Sequence, residues 1–216
     1  MLIAIIGGTG KEGKGLAYRW AKAGHQIIIG SREYEKAQTV ASELNRIFKG
    51  IEPIRGDQNV EAARKAELVV ITIPYSAHAP ILESIRDVVQ NKIVIDVTVP
   101  LIPPRVTHVQ IPTDGCAAME AQKILGDSVQ VVSAFQNVSY EKLLDDEELH
   151  CDVLVCGNDK SAKQIVLALI KDMHLVGYDA GPLQNSIVSE GLTSVLININ
   201  KQFGIQNAGI KITGIP

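Results

Sequence analysis

The stretch LIAIIGGTGKEG, residues 2–13, decides the fold of this chain. An uninterrupted apolar run, Leu2–Ile6, is followed at once by a glycine-rich loop, and a helical pattern then covers residues 12–23. The run predicts a buried strand. Glycines at positions 8, 10 and 13 match the G-x-G-x-x-G spacing of a dinucleotide-binding turn. That spacing is a weak signal alone, but its place between a strand and a helix indicates a Rossmann-type fold.

The glycine loop also predicts a phosphate site. Gly8 permits the tight turn, Gly10 lets a pyrophosphate approach the backbone, and Gly13 lets the helix pack closely on the strand. The amides and the partial positive charge at the helix N-terminus attract phosphate. A glycine-rich turn without a ligand is the alternative. We expect six loop residues to bind the cofactor: Gly8, Thr9, Gly10, Lys11, Glu12 and Gly13.

Beyond the loop, short apolar runs alternate with helical patterns. Strands are predicted at residues 2–6, 27–29, 53–56, 68–73, 92–97, 129–134, 152–156 and 175–179. Helices are predicted at residues 12–23, 34–47, 59–66, 77–89, 114–125, 161–173 and within 183–203. This rhythm predicts an α/β fold, a doubly wound parallel sheet with a small C-terminal α/β domain. We expect a Rossmann domain at 1–140 and the small domain at 141–216. The acidic run at 145–148 predicts a solvated loop.

Composition excludes several classes of protein. The 216 residues are 46% hydrophobic and 21% charged, as is typical of a soluble globular protein. The net charge of −3 does not indicate the basic surface that binds nucleic acid. The longest uncharged run, 68–82, is broken by two prolines and is too short to span a bilayer. Three cysteines, an odd number, favour the reducing cytoplasm over a disulfide framework. No spacing of histidines with cysteines or carboxylates predicts a metal site.

The end of the second strand indicates which dinucleotide is bound. It reads Ile29-Gly30-Ser31-Arg32, without the carboxylate that holds the ribose 2′-hydroxyl in NAD enzymes. Arg32 offers a planar guanidinium to a 2′-phosphate, Ser31 a hydroxyl, and Lys36 a further positive charge. The residues therefore favour NADP(H). The alternative is that Ser31 caps a helix while Arg32 and Lys36 are only solvated.

Ligands in such sheets lie beyond the carboxyl ends of the strands. Ile73 and Pro74 follow the fourth strand and predict an apolar wall for a nicotinamide ring, and Val99 follows the fifth. A packing role is the alternative for Ile73 and Pro74. His78 comes soon after; we expect it to be a surface residue or a cap, with a proton donor as the alternative.

Several collinear stretches resemble one known family, the NADP-dependent reductases of the deazaflavin coenzyme F420. The resemblance spans nearly the whole chain and matches its length. The stretches that carry it are Ile5-Ile6-Gly7-Gly8-Thr9-Gly10, Gly13-Lys14-Gly15-Leu16-Ala17, Gly24-His25, Gly30-Ser31-Arg32, Thr72-Ile73-Pro74, Val131-Val132-Ser133-Ala134, Val155-Cys156-Gly157, Asp179-Ala180-Gly181-Pro182-Leu183 and Gly209-Ile210-Lys211.

The resemblance implies hydride transfer between NADP(H) and coenzyme F420, an 8-hydroxy-5-deazaflavin. It also implies a homodimer and a C-terminal domain that contributes to the deazaflavin site. The segment after Ser133-Ala134 contacts the deazaflavin in this family. The residues that it implies for the NADP site are Thr9, Gly10, Lys11, Ser31, Arg32, Ile73 and Pro74.

Four apolar residues are expected to shape the contact between the two rings: Ile73, Pro74, Ala134 and Val138. Gln136 is expected to orient a ring by donating a hydrogen bond. Where archaeal members of the family have His-x-Ile, this chain has Gln136-Asn137-Val138, so an imidazolium charge is absent. Two other functions stay open. The chain is alternatively an NADP-dependent reductase of another small acceptor, such as a flavin, metal, imine or carbonyl, or a non-catalytic NADP-binding sensor.

Overall fold

The computed structural model describes residues 1–47, 53–144 and 149–215. They form one eight-stranded sheet in the order β3-β2-β1-β4-β5-β6-β7-β8. The strands are β1 Leu2–Ile6, β2 Gln26–Ser31, β3 Arg55–Gln58, β4 Leu68–Ile71, β5 Ile93–Asp96, β6 Gln130–Ser133, β7 Asp152–Gly157 and β8 Val176–Asp179. The first six are parallel and have the strand order of a Rossmann fold, which confirms the predicted fold class.

Within these described ranges, seven α-helices accompany the strands: α1 Lys11–Lys22, α2 Tyr34–Ile47, α3 Asn59–Lys65, α4 His78–Ile85, α5 Ala117–Leu125, α6 Lys160–Asp172 and α7 Ser186–Phe203. The proline-rich segment 99–112 contains no helix or strand. Across the three described ranges, no helix combines the length and apolarity that crossing a bilayer requires. The predicted acidic loop at 145–148 lies outside the described residues.

The sheet is buried on both faces, as its apolar strands predict. Successive side chains of β1 alternate between two hydrophobic cores. Ile3 and Ile5 pack into one core, and Ala4 and Ile6 into the other. All four are fully buried. Because each face carries a core, β1 lies between two packed layers, and the loop that follows it begins at a fully buried strand.

Strand β7 changes the direction of the sheet. It pairs with β6 in the antiparallel sense, through Val132 with Gly157 and Ser133 with Cys156, and β8 then runs parallel to β7. The proposed division at residue 140 falls between β6 and β7, which are joined in this sheet. The carboxyl ends of β7 and β8 therefore point to the edge opposite to that of the first six strands.

Helix α1 anchors the chain that follows β6. The Arg19 guanidinium donates hydrogen bonds to the main-chain oxygens of Leu143 and Lys142, at 2.9 and 3.0 Å. Trp20 donates from Nε1 to the oxygen of Leu169 in α6 at 3.0 Å. Gly15 lies so close to Leu143 that an added Cβ would overlap its side chain. These contacts fix the segment 135–144 beside the glycine loop.

Candidate functional site

A cavity of about 840 Å³ opens where the strand order reverses, between β1 and β4. This is the place where doubly wound sheets bind ligands. Its volume is in the upper part of the range for small-molecule sites, and its walls are mostly apolar. The lining comes from the glycine loop (Gly10, Lys11, Glu12), the ends of β4 and β5 (72–76 and 97–99), the 99–112 connector (Leu101, Ile102, Pro103, Val106), the segment 135–140, α7 (Thr193, Leu196, Ile197, Asn200), and Gln206 and Ala208.

The glycines of the loop have two different roles: Gly8 and Gly13 allow close packing, and Gly10 lines the cavity. A Cβ on Gly8 would lie 2.7 Å from the oxygen of Ile5, and one on Gly13 would lie 2.6 Å from Cα of Gly8. The positive φ of the turn, +73°, belongs to Gly7 rather than to the predicted Gly8. Gly10 lines the cavity, and a Cβ there would meet nothing closer than the oxygen of Gly7 at 3.7 Å. The fold itself leaves room for a side chain at Gly10, so the open space suits a ligand.

Ser31, Arg32 and Lys36 lie beside the loop, outside the cavity lining. Gly8 N donates to the oxygen of Gly30 at 3.1 Å, which fixes the end of β2 against the loop. Ser31 is buried and its Oγ accepts from the amide of Glu33 at 3.2 Å, as a cap does. Arg32 and Lys36 are exposed, and neither forms an ion pair with any residue in the described part of the chain. Both charges are therefore available to an anion.

Lys11 reaches across the cavity mouth. Its Nζ lies 3.2 Å from Glu141 Oε1 and 4.8 Å from the centre of the Tyr140 ring. The hydrogen bond and the charge of Glu141 raise the pKa of Lys11. Lys11 thus joins the glycine loop to the short 3-10 helix Tyr140–Lys142. The sequence predicted Lys11 at the site but gave no sign of this partner.

The strand ends bring the predicted apolar residues to the cavity. Ile73, Pro74, Val99 and Val138 all line it. Ala134 does not; it is fully buried in the core beside β6. Ile73 also packs against Gly7, where an added Cβ would overlap its Cγ2. The glycine loop is therefore in direct contact with Ile73, one of the residues expected to face the nicotinamide ring.

Gln136 lines the cavity in an orientation that the sequence did not predict. Its Nε2 donates to the main-chain oxygen of Asp96 at 2.8 Å and to Ser133 Oγ at 2.9 Å. A main-chain oxygen only accepts, so the amide orientation is determined. Both donor hydrogens are used inside the protein, and the predicted donation to a ring is wrong. Oε1 is left as the group without a partner among the described residues.

His78 is buried rather than at the surface, which corrects the sequence-based expectation. Its Nε2 lies 2.8 Å from Asp96 Oδ2, and each side chain is 1% exposed. Burial opposes a charge on His78, but the charge and hydrogen bond of Asp96 outweigh it and raise the pKa of His78. Asp96 Oδ1 also accepts from the amide of Thr98 at 2.9 Å. The pair thus supports two residues of the cavity wall, Thr98 and Gln136.

Sequence reasoning also missed Glu190 and the inner face of α7. Glu190 is buried, and its two oxygens accept from the amides of Ala117 and Ala118 at 2.7 and 3.1 Å, at the N-terminus of α5. Burial raises the pKa of Glu190 to about 8, although these two amides lower it. The periodicity of α7 indicated only a broad apolar helix. Which of its faces meets the cavity depends on how the chain turns back after β8, through residues 180–185.

Three buried oxygens on cavity-lining residues have no hydrogen-bond partner in the described part of the chain. They are Glu12 Oε1, Thr98 Oγ1 and Gln136 Oε1. Buried polar atoms in folded proteins usually have hydrogen-bond partners, so three of them on residues of one cavity fit a ligand that brings polar groups. The cavity therefore fits a ligand that is apolar over most of its surface and carries polar groups toward this wall.

The described side chains do not form a set of ligands for a resident metal ion. Within the described ranges, no three His, Cys, Asp or Glu side chains are grouped closely enough to hold one. His78 and Asp96 lie close together, but they bind each other. What the cavity offers instead is a phosphate-binding loop beside an apolar wall.

Comparison with known proteins agrees with this description. Residues 2–100 match the family model of coenzyme F420-dependent NADP oxidoreductases. The chain is 40% identical to the F420-dependent NADP reductase of Methanocaldococcus jannaschii, with 100% of this chain and 99% of that protein covered. It is 38% identical to the enzyme of the same name from Methanothermobacter thermautotrophicus, at 100% and 96% coverage. A suggested F420-dependent NADP reductase from Arthrobacter sp. FB24 has the same fold, with a TM-score of 0.83 at 24% identity and coverage of 98% and 99%.

Proposed function

The chain belongs to the family of F420-dependent NADP reductases, and on that premise we propose that it transfers a hydride between NADP(H) and coenzyme F420. The observation that carries the proposal is the apolar cavity between the glycine loop and the ends of β4, β5 and β6. Its volume and apolar walls suit two stacked rings. The full-length identity to reductases of this name supports the same reaction.

The glycine loop and the end of β2 are proposed to hold NADP(H). The N-terminal amides of α1 bind the pyrophosphate beside Gly10, where the backbone has no side chain to displace. Arg32 and Lys36 bind the 2′-phosphate, since both are exposed and form no ion pair with a described residue. The nicotinamide lies against Ile73 and Pro74, which line the cavity next to the loop.

The chain contributes alignment and exclusion of water to the reaction. NADP(H) and the deazaflavin would bring the hydride chemistry, and the chain would hold them side by side. The two rings must approach to about 3–3.5 Å. The segment 135–140 and the inner face of α7 enclose the space beside Ile73, and Val138 offers an apolar surface there. The residues of this ring contact are a proposal that rests on their position in the wall.

Anaerobic mixing of the protein with NADPH and oxidised F420 tests the reaction. Loss of the deazaflavin absorbance is expected with NADPH and not with NADH, and FMN in place of F420 is expected to give no turnover. Tight binding of NADPH without bleaching would transfer the proposal to another acceptor or to a sensor. Failure to bind NADPH would overturn the cofactor as well.

Arg32→Ala tests the 2′-phosphate assignment. A charged hydrogen bond contributes roughly 1.5–3 kcal/mol, so the dissociation constant of NADPH should rise by about 13- to 160-fold. The dissociation constant of NADH should not change. Arg64→Ala is the matched control, because Arg64 is an exposed arginine paired with Glu61 on α3. Equal losses for NADPH and NADH in Arg32→Ala would refute the assignment.

We also propose a homodimer that associates through α7. Large apolar side chains stay exposed on this helix: Val188 is 64% exposed, Val195 45% and Phe203 68%. Exposed apolar clusters of this kind mark association surfaces. Sedimentation velocity at micromolar concentration is expected to give twice the chain mass of 23.3 kDa. Val195→Asp should shift the protein toward the monomer, and a wild-type monomer would contradict the proposal.

The cysteines support a cytoplasmic location. Cys116, Cys151 and Cys156 are all buried free thiols. Free thiols are typical of a reducing compartment. We therefore propose that the protein works in the cytoplasm, which cell fractionation with a compartment marker tests.

A further inference from the structure

Glu12 is a carboxyl group in an unusual place. It lies in the first turn of α1, two residues after Gly10, and lines the cavity beside the glycine loop. Acidic residues in a first turn are common because the helix dipole attracts them, usually from the surface. Here one oxygen, Oε1, is buried and has no hydrogen-bond partner in the described part of the chain, while the side chain as a whole is only half-buried and still lines the cavity.

No positive charge of the described cavity wall compensates a carboxylate at this position. Lys11 Nζ is paired with Glu141, and Lys14 Nζ lies 2.9 Å from Glu43. The other lining residues with titratable side chains, Tyr75 and Tyr140, bring no positive charge to Glu12. From α7 the lining residues are uncharged: Thr193, Leu196, Ile197 and Asn200.

An unpaired carboxylate in such surroundings takes up a proton, because desolvation penalises only its charged form. Burial raises the pKa of Glu12 to about 8. A protonated carboxyl has an O–H to donate, whereas a carboxylate only accepts. The neighbouring phosphate loop is built for an anion, which the charged form would repel.

We propose that Glu12 is held as a neutral carboxylic acid that donates a hydrogen bond to the bound dinucleotide, so that cofactor binding is linked to a proton. The inference rests on the proposed function, because NADP(H) is taken as the ligand of the glycine loop. It assigns Glu12 a role that the loop pattern alone does not contain, since the pattern asks for glycines and leaves this position free.

The dissociation constant of NADP⁺, measured at pH 7, 8 and 9, tests the inference. If only the acid form binds, the constant should rise about tenfold between pH 7 and pH 9. Glu12→Gln keeps a donor that does not titrate and should show a flat profile over this range. Glu43→Gln, the same exchange on an exposed carboxylate, should keep the wild-type profile. Glu12→Met should be flat as well, with binding at pH 7 about 2- to 13-fold weaker because the donor is lost.

Calorimetry in two buffers of different ionisation enthalpy gives a second readout. At pH 8.5 the wild type should take up about three quarters of a proton per NADP⁺ bound, and Glu12→Gln should take up none. Binding of 2′-AMP, which reaches only the Arg32 end of the site, should show no difference between the two proteins. Identical pH profiles and proton uptake for NADP⁺ in wild type and Glu12→Gln would overturn the inference and leave the function intact. Absence of NADP⁺ binding to the wild type at pH 7 would overturn the proposed function instead.

Discussion

Removing one partner of the buried His78–Asp96 pair should destabilise the protein more than removing both. The two side chains are 1% exposed and their Nε2 and Oδ2 atoms are 2.8 Å apart. Asp96 also accepts two other hydrogen bonds: Oδ1 accepts from the amide of Thr98, and its main-chain oxygen accepts from Gln136. His78→Leu keeps most of the side-chain volume but leaves Asp96 buried without its ion-pair partner.

The expected cost follows from this burial. Breaking a buried pair by removing one partner costs about 3–5 kcal/mol. In a chain of this length each kcal/mol lowers Tm by roughly 2–4 °C, so His78→Leu should melt about 6–20 °C lower. The double variant His78→Leu/Asp96→Asn has no charged side chain at this site and keeps an oxygen that accepts from the amide of Thr98. The double variant should therefore lower the free energy of unfolding by about 1–3 kcal/mol, the cost of one buried amide group without a partner.

Urea unfolding of wild type, His78→Leu, Asp96→Asn and the double variant measures the cycle. Trp20, the single tryptophan, is fully buried between α6 and Phe135 and reports unfolding by fluorescence. The reasoning is refuted if the double variant is less stable than His78→Leu, or if His78→Leu costs under about 1 kcal/mol, the cost typical of an exposed pair.

Three further outcomes are expected. Gly15→Ala should cost about 1–3 kcal/mol in a thermal melt, because the new Cβ overlaps Leu143, and an unchanged Tm would contradict the contact. The free energy of unfolding should fall from pH 5 to pH 9, because the pKa of Glu190 is raised in the folded protein. The stability that this group contributes is complete below its usual pKa of 4.5 and is lost as the pH rises to about 8. Urea titrations at pH 5, 7 and 9 check the sign. Gln136→Ala should raise the KM for F420, because it removes the acceptor Oε1 that has no described partner at the cavity, and should leave the NADPH dissociation constant unchanged; a fall in NADPH affinity would place this strand end on the wrong side of the cavity.

The sequence predicted most of the fold because its signals are local. Leu2–Ile6 and Tyr34–Ile47 were predicted with the bounds that the structure has. The predicted strand at 53–56 is instead Arg55–Gln58, since its few residues carry little apolar pattern. The antiparallel pairing of β7 with β6 was not predicted, because a buried apolar run looks the same in either direction.

The candidate site was only partly predictable. The loop and strand-end residues follow from motif and topology, and most of them meet at the cavity. His78 was misplaced because its burial depends on Asp96, which is 18 residues away in the chain and adjacent only through the β4–β5 pairing. The orientation of Gln136 depends in the same way on two acceptors that no spacing rule connects.

The reversed direction of β7 makes this protein suited to oriented attachment on a surface. Lys160, the exposed first residue of α6, follows the carboxyl end of β7 and so lies at the sheet edge opposite the cavity. All three native thiols are buried, so a cysteine introduced by Lys160→Cys is the one that maleimide reaches. Coupled to an electrode or a bead through this thiol, the enzyme presents its cavity mouth to the solution, and both dinucleotide and deazaflavin keep free access.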